Sequence, residues 1–346
     1  MHRIVIDVMG GDFAPQNPIE GAVLALEEYQ DIEICLVGPE QVIAQELQRY
    51  PDCPRERLRI VHASEYITME EAPGIALRRK KDSSIRVGLE LVKKGEADAF
   101  ISAGNTGAVM GGSLLYLKTM PGVAKAAIAT FLPTLSGTSI MLDVGANVDC
   151  RPEHILQFAL MGNSYARYVL NKPAPTVGIL SIGEEDSKGN DITRQTFRLL
   201  NECSLIDFRG NVEGKEVYKG VVDVIACDGF TGNIALKVSE SLAYMISTML
   251  KEELGRGWFN KLGAVLSVKA LKRLKKRLDY TEYGGAPLLG VNGAVFISHG
   301  SSSPQALKNA FRAARIYVER GVNQHIYDDI TKTFAQLNHI ENNGQV

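Results

Sequence analysis

The feature that most restricts the fold of this chain is a regular alternation of short β-rich runs with amphipathic segments. Residues 4–8, 32–37, 58–61, 99–102, 127–131, 139–143, 176–182, 223–226 and 295–298 read as strands. Between them, residues 18–29, 83–94, 152–170, 192–203 and 304–321 carry apolar side chains at helical spacing. The strand runs are largely apolar on both faces, which a sheet with one wet side would not need. The pattern therefore predicts an α/β protein, a mostly parallel sheet with helices on both faces. The 346 residues suffice for a single α/β/α catalytic unit over 1–346, or for two lobes with the site between them.

Composition removes several function classes. With 38 Lys and Arg against 40 Asp and Glu, the formal net charge is −2. No whole-protein field attracts nucleic acid, and no nucleic-acid partner is expected. The five cysteines are scattered and form no Cys-x-x-Cys pair, which predicts a reducing compartment, no disulfide framework and no zinc site. The opening stretch "MHRIVIDVMGGDFAP" is strand-like and soon broken by Asp7 and Gly10, unlike a signal peptide. No apolar run approaches the roughly 20 residues that cross a bilayer. The expectation is a cytoplasmic chain, at most bound to a membrane surface.

Six of the strand runs end in glycine- and polar-rich stretches: "MGGD", "AGNTGA", "VGANVD", "GEEDSKGN", "CDGFTGN" and "HGSSS". Open α/β sheets bind ligands beyond the carboxyl ends of their strands, so six such ends predict one shared site. Within them, "GNTG" (Gly104, Asn105, Thr106) and "GFTGN" (Gly229, Thr231, Gly232, Asn233) read as turns at helix starts. Exposed N–H groups and the helix dipole there favour an anion such as phosphate. Taken singly, each turn reads equally well as a plain strand-to-helix connection. "SHGSSS" adds hydroxyls and His299, and Lys188 brings an ammonium able to neutralise phosphate or a developing oxyanion. An isolated loop lysine is also commonly just solvated. Asp143 ends an apolar strand, where it either orients backbone donors or binds a metal, and no carboxylate spacing is diagnostic of metal. Cys227 follows a Val-Ile-Ala strand end and reads as a buried, inert thiol.

Several motifs are missing. No G-x-G-x-x-G follows a strand, and the chain has no Walker A sequence, no H-E-x-x-H and no G-x-S-x-G. These gaps argue against dinucleotide binding, nucleotide hydrolysis, zinc hydrolysis and serine-esterase chemistry.

In order along residues 3–320, "DVMGGDFAP", "SAGNTGA", "LDVGANVD", "PEHILQFALMG", "GEEDSKGN", "DGFTGN", "YGGAPLLG" and "HGSSS" together resemble the bacterial phosphate acyltransferase family of phospholipid synthesis. Val8 stands where that family more often has alanine. The resemblance implies acyl transfer from acyl carrier protein to inorganic phosphate, with no cofactor. It also implies a fold related to phosphotransacetylases and to isocitrate or isopropylmalate dehydrogenases, usually as a homodimer. By the same resemblance Lys188 and Asn233 look like the catalytic pair, and Asn105, Thr106, Asp143, Asn147 and His299 look like residues lining the site. The competing readings are a decarboxylating hydroxy-acid dehydrogenase on the same fold and a non-catalytic membrane-surface scaffold.

One segment differs from its surroundings. Over residues 257–280 Trp258, Leu262, Val265, Val268, Leu271, Leu274 and Leu278 form one apolar stripe, while Lys261, Lys269, Lys272, Arg273, Lys275, Lys276 and Arg277 make the remainder basic. This predicts a protruding amphipathic helix with three possible uses: dimer packing, contact with a membrane surface, or docking of the acidic carrier protein.

Overall fold

The computed structural model describes residues 1–278 and 284–343. Among them eleven strands form one sheet: β1 (His2–Asp7), β2 (Ile32–Gly38), β3 (Leu58–His62), β4 (Ala99–Ser102), β5 (Ala127–Thr134), β6 (Gly137–Leu142), β7 (Thr176–Ser181), β8 (Asp207–Glu213), β9 (Val224–Ala226), β10 (Ala286–Leu289) and β11 (Ala294–Ile297). The helices are α1 (Gln16–Glu28), α2 (Glu40–Leu47), α3 (Pro73–Arg79), α4 (Ser84–Lys93), α5 (Thr106–Tyr116), α6 (Pro152–Tyr168), α7 (Asp191–Glu202), α8 (Gly229–Gly255), α9 (Gly257–Leu266), α10 (Val268–Leu278), α11 (Pro304–Glu319) and α12 (Val322–Asn343).

The strand order is β3-β2-β1-β4-β11-β10-β5-β6-β9-β7-β8. The first five strands in that order run parallel, as do the last four, β6-β9-β7-β8. Antiparallel pairings of β10 with β11, β10 with β5, and β5 with β6 join the two blocks, which therefore run in opposite directions.

Alternation along the strands explains why both faces are covered. Ile4 and Ile6 of β1 enter one core with Ile32, Ile34 and Leu36 of β2, whereas Val5, Cys35 and Val37 enter the other. The first core is closed by α1, α6 and α11, through residues such as Leu26, Phe158 and Phe311. The second is closed by α3, α4 and α5, through Leu77, Leu89 and Val109. Each of these large apolar side chains contributes about 1.5–3 kcal/mol on leaving water.

All nine strand runs expected from the sequence are present, with ends displaced by at most three residues. Two strands are additional. β8 ("DFRGNVE") is an edge strand with no apolar run, and β10 ("APLL") carries Pro287, which in sequence argues against a central strand. β10 nevertheless sits at the centre, pairing its first two residues with β11 and its last two with β5.

The basic amphipathic segment is not one helix. It divides at Ser267 into α9 and α10, and it follows a long helix, α8, of which only Gly229 and Gly232 are buried. At 27 residues α8 is about 40 Å long. Its far end and α9 project from the body, with no buried residue on α9. Residues 279–280 of the expected segment, and the side chains of residues 275–278, Lys276 and Leu278 among them, lie outside what the structure describes.

Candidate active site

The ends of β1, β4 and β11 are tied together by short polar contacts. Ser102 Oγ donates to Asp7 Oδ2 at 2.8 Å and accepts from the Gly104 N–H at 3.0 Å. The Ser298 N–H donates to the Ser102 carbonyl at 2.8 Å, prolonging the β4–β11 ladder by one rung. Asp7 is fully enclosed, and burial pushes its carboxyl up against the pull of its hydroxyl and backbone donors. Here the polar strand ends hold one another.

The ends of β6 and β9 meet in a second cluster around Asp143, which is 0% exposed. Its carboxylate accepts five hydrogen bonds, from the N–H groups of Ile128, Gly145, Ala146 and Asn147 and from Asn147 Nδ2, at 2.7–3.2 Å. Burial raises this carboxyl and the donors work against the rise. Helix α8 is seated on the same loop. A Cβ on Gly229 would lie 2.6 Å from Asp143 Oδ2, and one on Gly232 would lie 1.9 Å from the Asp143 carbonyl oxygen. Only glycine permits that approach. Asp228 caps α8, accepting from the Thr231 N–H and from Thr231 Oγ1, both at 2.8 Å. Asn233, in the next turn, is thereby brought against Gly145.

A cavity of about 330 Å³ joins the two clusters. One wall carries Thr106, Ser298, His299 and Ser302, and the facing wall carries Ile128, Phe131, Val144, Asn233 and Leu236. The two blocks can share it because β10 is only four residues long, so the ends of β11 and β6, Ile297 and Leu142, lie within one residue of the same level, about 3 Å along the strands. Helices α5, α8 and α11 all begin at its border, with Thr106, Asn233 and Ala306 among its lining residues. Each start is capped by a side chain, from Asn105, Asp228 and Ser303 respectively. Three helix starts at one cavity bring partial positive charge to its border, which favours an anion.

The expected site residues thus separate. Thr106, Asn233 and His299 line the cavity. His299 Nδ1 accepts the Ser301 N–H at 3.2 Å, so in the neutral ring the proton sits on Nε2. Asn105 is spent elsewhere: its Oδ1 caps α5 and its Nδ2 donates to the carbonyls of Thr68, Met69 and Glu71. Asn147 Nδ2 donates to Ala126 O and to Asp143. With Asp143, Gly104, Gly229, Thr231 and Gly232, these residues shape the cavity's edges from behind. Lys188 is exposed on the loop after β7, the strand beside β9, and does not line the cavity. Among the described residues its ammonium has no hydrogen-bonding or ion-pair partner. The loop is anchored at Glu185 O, which accepts from the Lys188 N–H at 2.9 Å and from Asn211 Nδ2 at 2.7 Å.

Sequence reasoning missed the apolar wall, because Ile128 and Phe131 read as ordinary strand residues. It took Ser298 only as one hydroxyl of "SHGSSS" and did not single it out. Another hollow, of about 370 Å³, lies at the outer β7–β8 edge and gathers none of the expected site residues. Among the described residues no group of three or more His, Cys, Asp or Glu is placed to hold a metal ion. None of the described helices is long and apolar enough to cross a membrane.

The architecture is that of the phosphotransacetylase fold. A phosphotransacetylase from Streptococcus pyogenes superimposes with a TM-score of 0.61 at 16% identity, covering 94% of each chain. A 4-hydroxythreonine-4-phosphate dehydrogenase from Klebsiella pneumoniae gives 0.52 at 14% identity, covering 92% of this chain and 99% of its own. At such identities the likeness is one of fold. Sequence goes further: a family model described as "Fatty acid synthesis protein" matches residues 2–325. The phosphate acyltransferase of Citrifermentans bemidjiense is 49% identical over 332 residues, 96% of this chain and 94% of that one. That of Halothermothrix orenii is 49% identical over 331 residues, 95% and 99% of the two chains. The chain belongs to the phosphate acyltransferase family and is an acyltransferase.

Proposed function

We propose that the enzyme transfers a long-chain fatty acyl group from the thioester of acyl carrier protein to inorganic phosphate, releasing acyl phosphate for phosphatidic acid synthesis. The observation that carries this reading is the cavity, where the starts of α5 and α11 face an apolar wall from which α8 begins. An anion is favoured at one side and an acyl thioester at the other.

Phosphate attacks directly. A phosphate oxygen forms a bond to the carbonyl carbon, and the carbonyl electron pair moves onto oxygen. That oxyanion collapses, the C–S bond breaks, and sulfur leaves with the pair as thiolate, taking a proton from water. The nucleophile is already charged near neutral pH and the leaving group is a good one, so the protein need only align the partners and stabilise charge. Asn233 at the cavity wall and the exposed ammonium of Lys188, in the loop after the neighbouring strand β7, are assigned that stabilisation. Thr106 and His299 Nε2–H are assigned phosphate contacts. Gly104, Asn105, Asp143, Asn147, Gly229, Thr231 and Gly232 hold the walls that present them. Cys227 takes no covalent part: it is fully enclosed, and burial holds its thiol well above the ordinary range.

The projecting helices supply the partners. Phe230, Ile234, Val238, Leu242, Met245 and Met249 are each 40% or more exposed and recur every three or four residues on α8. Such a stripe suits a second copy of the chain in a homodimer. Trp258, Leu262 and Val265 of α9 are 51–67% exposed and suit a membrane surface. The exposed Lys272 and Arg273 of α10, beside half-buried Leu271, suit anionic lipid or the acidic carrier protein. The enzyme then works in the cytoplasm, peripherally bound to the inner face of the cell membrane.

The test is thiol release from acyl-acyl carrier protein with and without inorganic phosphate, repeated with Lys188→Ala. Release that needs phosphate, and a kcat lower by about a hundredfold or more in the variant, are expected. Phosphate-independent release, or ping-pong kinetics with an acylated residue, overturns the reading.

A further inference from the structure

Most polar side chains around the cavity are already committed. Asn105 holds three carbonyls and a helix cap, Thr231 is bound by its cap, and Ser303 caps α11. Asp143 and Asn147 hold each other and the loop between them. Ser298 is among the lining side chains that are not. It lines the cavity and is only 6% exposed, yet its Oγ has no hydrogen-bond partner. A buried hydroxyl without a partner is costly, and in a cavity wall a bound molecule can complete it.

Its surroundings fix the place of that hydroxyl. The backbone of Ser298 is held by its N–H bond to Ser102 O, one residue beyond β11. Gly285, another cavity residue, has φ +76°, and a Cβ there would lie 3.1 Å from Ser298 Oγ. With no side chain at that position, only glycine backbone stands against the hydroxyl. Beside it stand Thr106 and His299, on the wall where helices α5 and α11 begin.

We infer that Ser298 is a substrate-binding residue whose Oγ–H donates a hydrogen bond to inorganic phosphate as the nucleophile. The inference rests on the proposed acyl transfer to phosphate and adds to it the group that recognises the smaller substrate. The hydroxyl contacts phosphate before and during attack alike, so it lowers the phosphate KM more than it raises kcat.

The experiment compares wild type, Ser298→Ala and Ser298→Cys for thiol release at varied inorganic phosphate, at varied acyl-acyl carrier protein, and for thermal unfolding. The expected result for Ser298→Ala is a phosphate KM raised about tenfold to a hundredfold, with the acyl-donor KM unchanged. Its Tm should equal or exceed that of wild type, because the hydroxyl removed had no partner to lose. Ser298→Cys, with a weaker donor of similar size, should fall between. An unchanged phosphate KM in an active Ser298→Ala overturns the inference. So does a fall in Tm that accompanies equal losses toward both substrates, since that marks a structural hydroxyl. Wild type that releases thiol without phosphate overturns the acyl-transfer reading itself, and the inference with it.

Discussion

Gly232 and the carbonyl of Asp143 are in such close approach that a Cβ on the glycine would fall 1.9 Å from the oxygen. The carbonyl belongs to the loop that borders the cavity, and the glycine to the helix that carries Asn233. The contact therefore sets where the Asn233 amide stands relative to the rest of the site. Gly232→Ala must push the start of α8 outward by more than an ångström. Misplacement of that size costs about a hundredfold in rate, and the overpacking costs about 1–3 kcal/mol. We expect kcat to fall at least that far with a measurably lower Tm. Wild-type kcat in this variant would show that α8 is not seated by the glycine.

Cys227 lies under the same contact, its Sγ 3.3 Å from the Asp143 carbonyl. Burial, with Asp228 and Asp143 nearby, keeps the thiol protonated at neutral pH. Cys227→Ala should retain a kcat of wild-type order, and mass spectrometry of wild type quenched in turnover should find no acylated cysteine. An acyl adduct on Cys227 would replace direct attack with a two-step mechanism.

Asp223, just before β9, ties the second block to its neighbouring loop. Its carboxylate accepts from Lys172 Nζ at 2.5 Å and from the Thr176 N–H and hydroxyl at 2.8 and 2.9 Å. Burial raises this carboxyl, but the three donors prevail and its pKa lies below the ordinary 3.8. A depressed carboxyl contributes stability that is complete above its unfolded pKa and lost as pH falls through the folded one. Asp223→Asn should cost about 2 kcal/mol at pH 7. The gap from wild type in denaturant unfolding should close as pH drops below 3.8. A gap that stays constant down to pH 2 would mean that the charge is not what matters.

The projecting helices separate two roles by position. Val238 is 62% exposed, so Val238→Glu should leave the monomer's fold intact while placing charge in the proposed dimer seam. Sedimentation should then report a monomer where wild type is a dimer. Trp258→Ala with Leu262→Glu should preserve the dimer and reduce co-sedimentation with anionic vesicles. Vesicle binding equal to wild type would remove α9 from the membrane contact.

The strands were legible because their residues are apolar on both faces, and the helix starts because glycine and capping residues follow them. β10 was hidden by its length and by Pro287. β8 was hidden because an edge strand can carry Arg209 and Gly210 without an apolar run. Within the site, a polar residue that holds a loop and one that holds a ligand look alike in sequence. Asn105 and Asn233 both follow glycine turns, yet Asn105 is consumed by backbone carbonyls and Asn233 faces the cavity. The division of the basic segment at Ser267 had no clear mark, since serine is tolerated inside helices.

The two strands at the middle of the sheet, β10 and β11, are the last two in the chain. Until residues 286–297 leave the ribosome, β4 and β5 each present an open edge toward the gap between the blocks. The cavity wall formed by Ser298 and His299 is absent for the same period. A nascent chain stalled before that point has two partly built halves and no cavity joining them, so catalytic competence arrives late in synthesis and all at once. Unpaired edges of that kind invite wrong partners, which makes the closing strands a safeguard of the fold as well as a support of the site.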